Sequence, residues 1–541
     1  MRTIYYGGSV YTGSLPLAEA FAVEDGRFIF AGTDREARAL AEKGGETVDL
    51  NGRFVCVGFN DSHMHLLNYG YALQVADLSS NTGSLAQVLE TMRTFLREKR
   101  LAPGQWVRGR GWNHDYFTDE PRFPTRLDLD QVSTEHPVCI VRACGHTCVV
   151  NTKALEMIGV TADTPQPEGG CFELGEDGKP NGVFRENGMD LVYGKLPRPG
   201  TADLKAMLLD AQAHLNSYGV TSCQTDDFTA FANVDWHDIM EAYRQLEAEG
   251  KLTVRMAQQA QLTTVKDLEA FLAEGYNTGW GDEWVKVGPL KILGDGSLGA
   301  RSAYLSRDYA DKPGCRGIPI YTQQQFDDLI GCANRSGMQV AVHAIGDGIL
   351  DRVLSAYKKA LAENPRADHR HGVVHCQITR PDQLADFAAL GLHAYIQPIF
   401  LDYDIHMVEQ RVGPELASTS YAFRTLMDSG VWTSSGTDCP VELPRALACI
   451  QCAVTRCTLK DRVGPYLPNE GLTVRQAIDS YTIHSAHATF EEKVKGRIAP
   501  GYLADFVVLG ESPFEADPYT IGDIPVLATY VGGNCVYQAR D

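Results

Sequence analysis

Phe54-Val55-Cys56-Val57-Gly58-Phe59-Asn60-Asp61-Ser62-His63-Met64-His65 is an apolar run that ends in two histidines two positions apart. Side chains alternate across an extended chain, so His63 and His65 project to the same side of it. Two imidazoles at that spacing can ligate one metal ion, although a pair of ordinary core or surface histidines would look the same. The Phe54–Phe59 part predicts a β-strand, with the polar residues following at its C-terminal end.

Seven further runs predict strands: Val220–Thr225, Thr253–Gln258, Val285–Leu293, Met338–His343, Gly372–Cys376, His393–Pro398 and Val431–Thr437. Helical stretches lie between most of them. Leu204, Met207, Leu208, Ala211 and Leu215 fall on one face of a helix over 202–218, and 351–361 and 381–390 behave similarly. This alternation implies parallel strands with crossover helices, and strands of this length fit a closed (β/α)8 TIM barrel better than an open sheet. His343 closes Val340-Ala341-Val342, His375 closes Val373-Val374, and Asp438 follows Ser434-Ser435-Gly436-Thr437. Barrel active sites are built at the C-terminal ends of the strands. One such histidine is unremarkable in a core, but four histidines and an aspartate at separate strand ends point to a metal site.

The remaining chain brackets this α/β barrel. Residues 66–200 separate the first two strands, too long a stretch for a βα loop. They predict a large insertion, a cap with its own strands and helices, and Pro165–Gly170 and Arg198–Gly200 read as loops within or closing it. Residues 1–55 and 496–541 are rich in aromatic and β-branched residues between glycine turns, so the two termini are expected to build one small β-sandwich beside a barrel body at 56–495.

Composition narrows the function classes. The 541 residues are 44% hydrophobic and 22% charged, with a formal net charge of −20. Phosphate backbones and anionic membranes call for a basic surface, so neither nucleic acid nor membrane is an expected partner. No run approaches the ~20 apolar residues of a membrane span, and the N-terminal residues lack the pattern of a secretion signal. The 14 cysteines sit mostly in apolar segments, which fits reduced thiols and a cytoplasmic location. Cys449 and Cys452 form a C-x-x-C without two further ligands at similar spacing, so helix packing is expected there. A homodimer is the default expectation, from the prevalence of two-fold oligomers.

The order H-x-H, Lys, His, His, Asp on successive strand ends resembles the amidohydrolase superfamily, and within it the amidohydrolase family 3 branch of YtcJ-like and N-substituted formamide deformylase-like proteins. The resemblance spans nearly the whole chain. Gly58-Phe59-Asn60-Asp61-Ser62-His63-Met64-His65 matches the first metal motif, Lys291-Ile292-Leu293-Gly294-Asp295-Gly296-Ser297-Leu298-Gly299 the lysine strand, and Val342-His343-Ala344-Ile345-Gly346-Asp347 the fifth strand. Gly496-Arg497-Ile498-Ala499-Pro500-Gly501-Tyr502-Leu503-Ala504-Asp505 matches the return to the terminal sandwich. Gly109-Arg110-Gly111-Trp112, Gly145-His146 and Val150-Asn151 match within the insertion.

The resemblance implies two divalent metals, most often Zn2+. His63, His65 and Asp438 would hold one, His343 and His375 the other, and Lys291, carboxylated by carbon dioxide, would bridge them. An unmodified strand-end lysine is the alternative at 291, and Lys286, nearer the strand's N-terminal end, is the wrong candidate for the bridge. The implied reaction is hydrolysis of a non-peptide C–N bond, in a small-molecule amide, N-acyl or N-formyl compound, by a metal-bound hydroxide. Asp438 would act as acid and base. A mononuclear deaminase, a cyclic-amide or lactone hydrolase, and an inactive binding protein are the competing readings. The residues after His343 lack the glutamate that deaminases of the superfamily carry, and every expected ligand type is present. In the insertion, His146 and Glu186 match motif positions and are expected at the substrate site. Trp112, His114 and Tyr116 would be walls of it, with ordinary packing as the alternative. Arg301 would grip a substrate carboxylate or pair with an acid such as Asp295.

Overall fold

Eight strands lie side by side in chain order in one parallel sheet. They are Phe59–Met64, Val220–Thr225, Arg255–Gln261, Val285–Leu293, Val340–Ala344, Gly372–His375, His393–Ile396 and Thr433–Ser435. This is a computed structural model, and it describes residues 2–80, 83–144, 146–231 and 233–540. Gly145 of the insertion motif lies outside the described residues. Parallel neighbours need crossovers, and helices supply them: Trp236–Ala248, Val265–Ala273, Gln323–Arg335, Asp347–Glu363, Pro381–Leu390 and Phe423–Asp428.

Local chemistry sets these helices. Thr322 accepts from the Gln325 N–H while the Gln325 side chain reaches back to Thr322, a reciprocal cap that starts Gln323–Arg335. Pro381 opens its helix at a first-turn position, where its missing N–H costs nothing, and Gly391 closes it in the left-handed region at φ 64°. Along Asp347–Glu363, Ile349, Leu350, Val353 and Leu354 are at most 2% exposed. Each such burial contributes roughly 1.5–3 kcal/mol.

The last and first strands are joined by specific contacts. The Asp438 N–H donates to His63 O at 2.9 Å, and the His65 N–H donates to Cys439 O at 2.7 Å. The buried Asp61 carboxylate accepts the Thr437 hydroxyl and, at 3.1 Å, the Thr437 N–H. Gly436 makes this approach feasible, because a Cβ there would lie 2.6 Å from His63 N.

The first barrel strand corrects the expected Phe54–Phe59. Phe54–Val57 belongs to the terminal sandwich, pairing with Ser9–Tyr11 and Phe506–Leu509, and the barrel strand begins at Phe59. One continuous extended run thus serves two sheets. The change-over falls at Gly58, where a Cβ would come within 2.2 Å of Thr221.

Both termini build the sandwich. A four-stranded sheet of Arg2–Tyr6, Ala20–Glu24, Arg27–Gly32 and Glu46–Asp49 faces a five-stranded sheet of Ser9–Tyr11, Phe54–Val57, Phe506–Leu509, Val526–Val531 and Asn534–Gln538. Tyr5, Phe21, Phe28 and Phe506 fill the space between them, with Tyr5 stacked on Phe21 at 4.6 Å and Phe506 edge-on to Phe21 at 5.0 Å. On the barrel side, Arg255 makes a buried two-pronged ion pair with Asp505, at 2.7 and 3.0 Å.

The chain divides into two compact units, Met1–Tyr69 with Leu204–Asp541, and Gly70–Asp203. The second holds a six-stranded sheet packed on the helix Leu85–Lys99, with Leu89, Met92, Val107, Trp112 and Ile140 in its core. All 14 cysteines are free thiols; Cys449 and Cys452 are buried on the helix Ala446–Thr455. Among the described residues, no helix is long and apolar enough to cross a membrane.

Candidate metal centre

Five strand ends converge on one cluster. His63, His65 and Asp438 present ligand atoms that all lie within 4.8 Å of one another. His65 Nε2 is 2.9 Å and His63 Nε2 3.4 Å from Asp438 Oδ1. Lys291 reaches in from the fourth strand, its Nζ 3.2 Å from His63 Nε2. His375 joins through its ring, centred 5.7 Å from that of His63, and its Nε2 is 2.9 Å from His343 Nδ1. The six residues expected at the site therefore stand together at the C-terminal mouth of the barrel. Lys286 does not: it pairs with Glu491 at 3.1 Å.

The imidazoles are oriented as ligands. Gln259 donates to Ser62 O at 3.0 Å, so its Oε1 is the acceptor facing His63 Nδ1 at 2.8 Å. Nδ1 must then carry the hydrogen, which leaves a lone pair on Nε2. Gln397 does the same for His375, with Oε1 2.8 Å from Nδ1. Burial, reinforced by neighbouring cations, holds both rings below the ordinary histidine pKa and keeps them neutral. Burial opposes charge on His65 too, but Asp226 and Asp438 outweigh it and push its pKa up to about 10. Burial also opposes ionisation of Asp438, and its hydrogen bonds to His63 and His65 outweigh that, holding it well below the carboxylate range.

This donor set fits a divalent cation: imidazole nitrogens, neutral at His63 and His375 and freed at His65 when a cation takes the place of its proton, and a carboxylate, close enough for bonds of ~2.0–2.2 Å to a shared ion. The backbone is strained where it presents them. His375 and Asp438 take φ of 82° and 57°, a left-handed conformation costing side-chain-bearing residues roughly 1–3 kcal/mol each.

Arg301 is held by Asp311 at 3.0 and 2.6 Å, and Asp295, 3.4 Å from His343 Nε2, accepts the N–H groups of Tyr304, Ile345 and Gly346. Trp112 has no exposed surface, packing edge-on against Phe123 at 5.6 Å inside the insertion core, so packing accounts for it. His114 lies against Phe123, and Tyr116 is exposed. His146 Nδ1 and Glu186 Oε2 form an exposed pair at 2.9 Å, which raises the His146 pKa. Glu186 has φ 48°.

Three contributors lay outside the sequence reading. Gln259 and Gln397 orient histidines from neighbouring strands, a role that amide side chains do not advertise. Asp226 follows Val220–Thr225 directly and is fully buried, with Oδ2 2.9 Å from Lys291 Nζ and Oδ1 against His65 Nδ1. Its position at a strand end was the available signal.

Comparison with known proteins agrees with this architecture. The Amidohydrolase family model matches residues 46–537. The chain is 33% identical to "Putative amidohydrolase YtcJ" of Bacillus subtilis (strain 168), over 99% of this chain and 100% of that protein. It is 27% identical to "N-substituted formamide deformylase" of Arthrobacter pascens, over 96% and 95% of the two chains. A crystal structure described as an uncharacterized metal-dependent hydrolase from Pyrococcus horikoshii OT3 superposes with TM-score 0.76 at 27% identity, covering 96% of this chain and 99% of that one. With a match across both the sandwich and the barrel, the chain is a hydrolase of the amidohydrolase family.

Proposed function

We propose that this hydrolase is metal-dependent and cleaves a carbon–nitrogen bond other than a peptide bond, in a small amide, N-acyl or N-formyl compound. The observation that carries the reading is the convergence of His63, His65, Lys291, His343, His375 and Asp438 at one end of the barrel, with His63 and His375 pinned by glutamines as neutral ligands. A divalent cation bound there, zinc foremost, would supply Lewis acidity for a carbonyl and for water near neutral pH. His63, His65 and Asp438 would hold one ion, His343 and His375 a second, with Lys291 as its carbamate between them.

Asp438 is the residue placed to move a proton. One oxygen is engaged by His63 and His65, and the carboxylate is held ionised, so it can accept a proton from the attacking water and deliver it to the departing nitrogen. A deaminase needs a further acid beside His343. Asp347, the nearest carboxylate in sequence, is bound to Arg380 at 2.8 Å and to the Ser306 N–H at 2.9 Å, and Asp295, 3.4 Å from His343 Nε2, is engaged by the N–H groups of Tyr304, Ile345 and Gly346. The likeness to an N-substituted formamide deformylase supports N-formyl compounds as the first substrates to try, and the net charge of −20 supports a small-molecule substrate over nucleic acid.

The test is a panel of N-formyl and N-acyl amides with the zinc-loaded protein and Asp438→Ala. Turnover that falls by a factor of at least ~100, on the scale of a lost general acid and base, is expected of the variant. Full activity in Asp438→Ala removes the assignment.

A further inference from the structure

We propose that Asp226 is a positioning residue of the metal centre, holding His65 and Lys291 in the orientations in which they ligate. It sits where the second strand ends, its side chain has no exposed surface, and the proton transfer described above does not use it. Its two oxygens are divided between two ligands. Oδ1 lies against His65 Nδ1, which leaves His65 Nε2 facing the centre, 2.9 Å from Asp438 Oδ1. Oδ2 is 2.9 Å from Lys291 Nζ. The histidines His63, His65 and His375 thus each have Nδ1 engaged from another strand end, but only His65 by a carboxylate. A carboxylate behind an imidazole fixes the ring and makes it a stronger ligand.

The contact with Lys291 rests on the reading of that residue as a carbamate. When carbon dioxide carboxylates the neutral amine, the nitrogen lone pair forms the new N–C bond and one N–H proton leaves to solvent. The product, –NH–COO−, keeps one N–H. Asp226 Oδ2 is placed to accept it, and that bond turns the carbamate oxygens away from Asp226, toward the side where His63 Nε2 stands 3.2 Å from Nζ. The adjacent Asp227 cannot substitute, being committed to Tyr243, Gln258 and the Leu67 N–H.

The experiment strips full-length protein of metal and reloads it with zinc and 13C-bicarbonate. It reads zinc affinity by chelator competition and the carbamate carbon by 13C NMR. Asp226→Ala is expected to bind zinc at least roughly tenfold more weakly and to lose most of the carbamate signal. Asp226→Asn, which keeps an acceptor oxygen without the charge, is expected to fall between. Wild-type affinity and carbamate signal in Asp226→Ala overturn the proposal. If the wild type itself shows no carbamate, the reading of Lys291 fails and Asp226 is judged on zinc affinity alone, unchanged affinity overturning it. Circular dichroism of the metal-free variants checks folding. Where Asp226→Ala does not fold, Asp226→Asn decides, and wild-type values in it overturn the proposal.

Discussion

Asp505→Ala should destabilise the protein while sparing its chemistry. Asp505 is 2% exposed and receives Arg255 Nε at 2.7 Å, Arg255 Nη2 at 3.0 Å and the Gly532 N–H at 2.8 Å. Truncation leaves a buried guanidinium without its counter-charge, a loss of about 3–5 kcal/mol. It also orphans the Gly532 N–H, worth about 1–3 kcal/mol. Two contacts survive and offset part of this, from Arg255 Nη1 to Glu283 O at 3.1 Å and from the guanidinium to the Trp284 ring at 4.5 Å. We therefore expect a net loss of about 4 kcal/mol, roughly a thousandfold in the folding equilibrium of the unit that contains it. The pair sits at the opening residue of the third barrel strand, and the ligands sit at the opposite strand ends. The assay is guanidinium unfolding followed by tryptophan fluorescence, beside kcat/KM well below the transition. A lower midpoint with kcat/KM within about twofold is predicted, and Arg255→Met with Asp505→Leu should recover most of the loss. An unchanged midpoint in Asp505→Ala would contradict a stabilising role for this ion pair, as would lost activity in a fully stable variant.

Gln259→Leu removes the acceptor that fixes the tautomer of His63 and should weaken metal binding by roughly 10–100-fold, read by chelator competition; unchanged affinity contradicts that role. Gly436→Ala should lower both stability and metal affinity, because its Cβ would press to 2.6 Å on His63 N at the seam joining the last strand to the first; a wild-type melt and metal content would contradict the seam. His371 and His393 predict acid sensitivity, since burial and neighbouring positive groups hold both well below the ordinary histidine pKa. They stay neutral when folded but protonate when unfolded, so their contribution is present above ~6.5 and is lost as pH falls below it. The denaturation midpoint of metal-free protein should fall between about pH 7 and pH 5, and less so in His393→Gln; equal slopes would contradict the assignment.

Much of this was legible because barrel strands are apolar runs and their ends are polar. His343, His375 and Asp438 each interrupt a β-branched or small-residue run, and one rule locates all of them. The same rule failed at Phe54–Phe59, where an uninterrupted extended stretch passes from sandwich to barrel. Only the crowding of Gly58 against Thr221 marks the change. Asp226 obeys the rule but carries no histidine beside it, so nothing in its local sequence separates it from Asp227, which serves the packing of Tyr243. Trp112 and Arg301 show the limit in the other direction. An aromatic or a cation next to a motif suits a pocket wall as well as a core, and sequence alone does not name the partners that the structure gives them, Phe123 for Trp112 and Asp311 for Arg301.

The proposal that six side chains hold two divalent ions is tested by elemental mass spectrometry of protein purified without chelators and supplied with zinc and bicarbonate, beside the Lys291→Ala variant. Close to two ions per chain are expected, falling to one or fewer in the variant. A wild-type content near zero after full loading, or a variant that keeps both ions, would contradict the proposal.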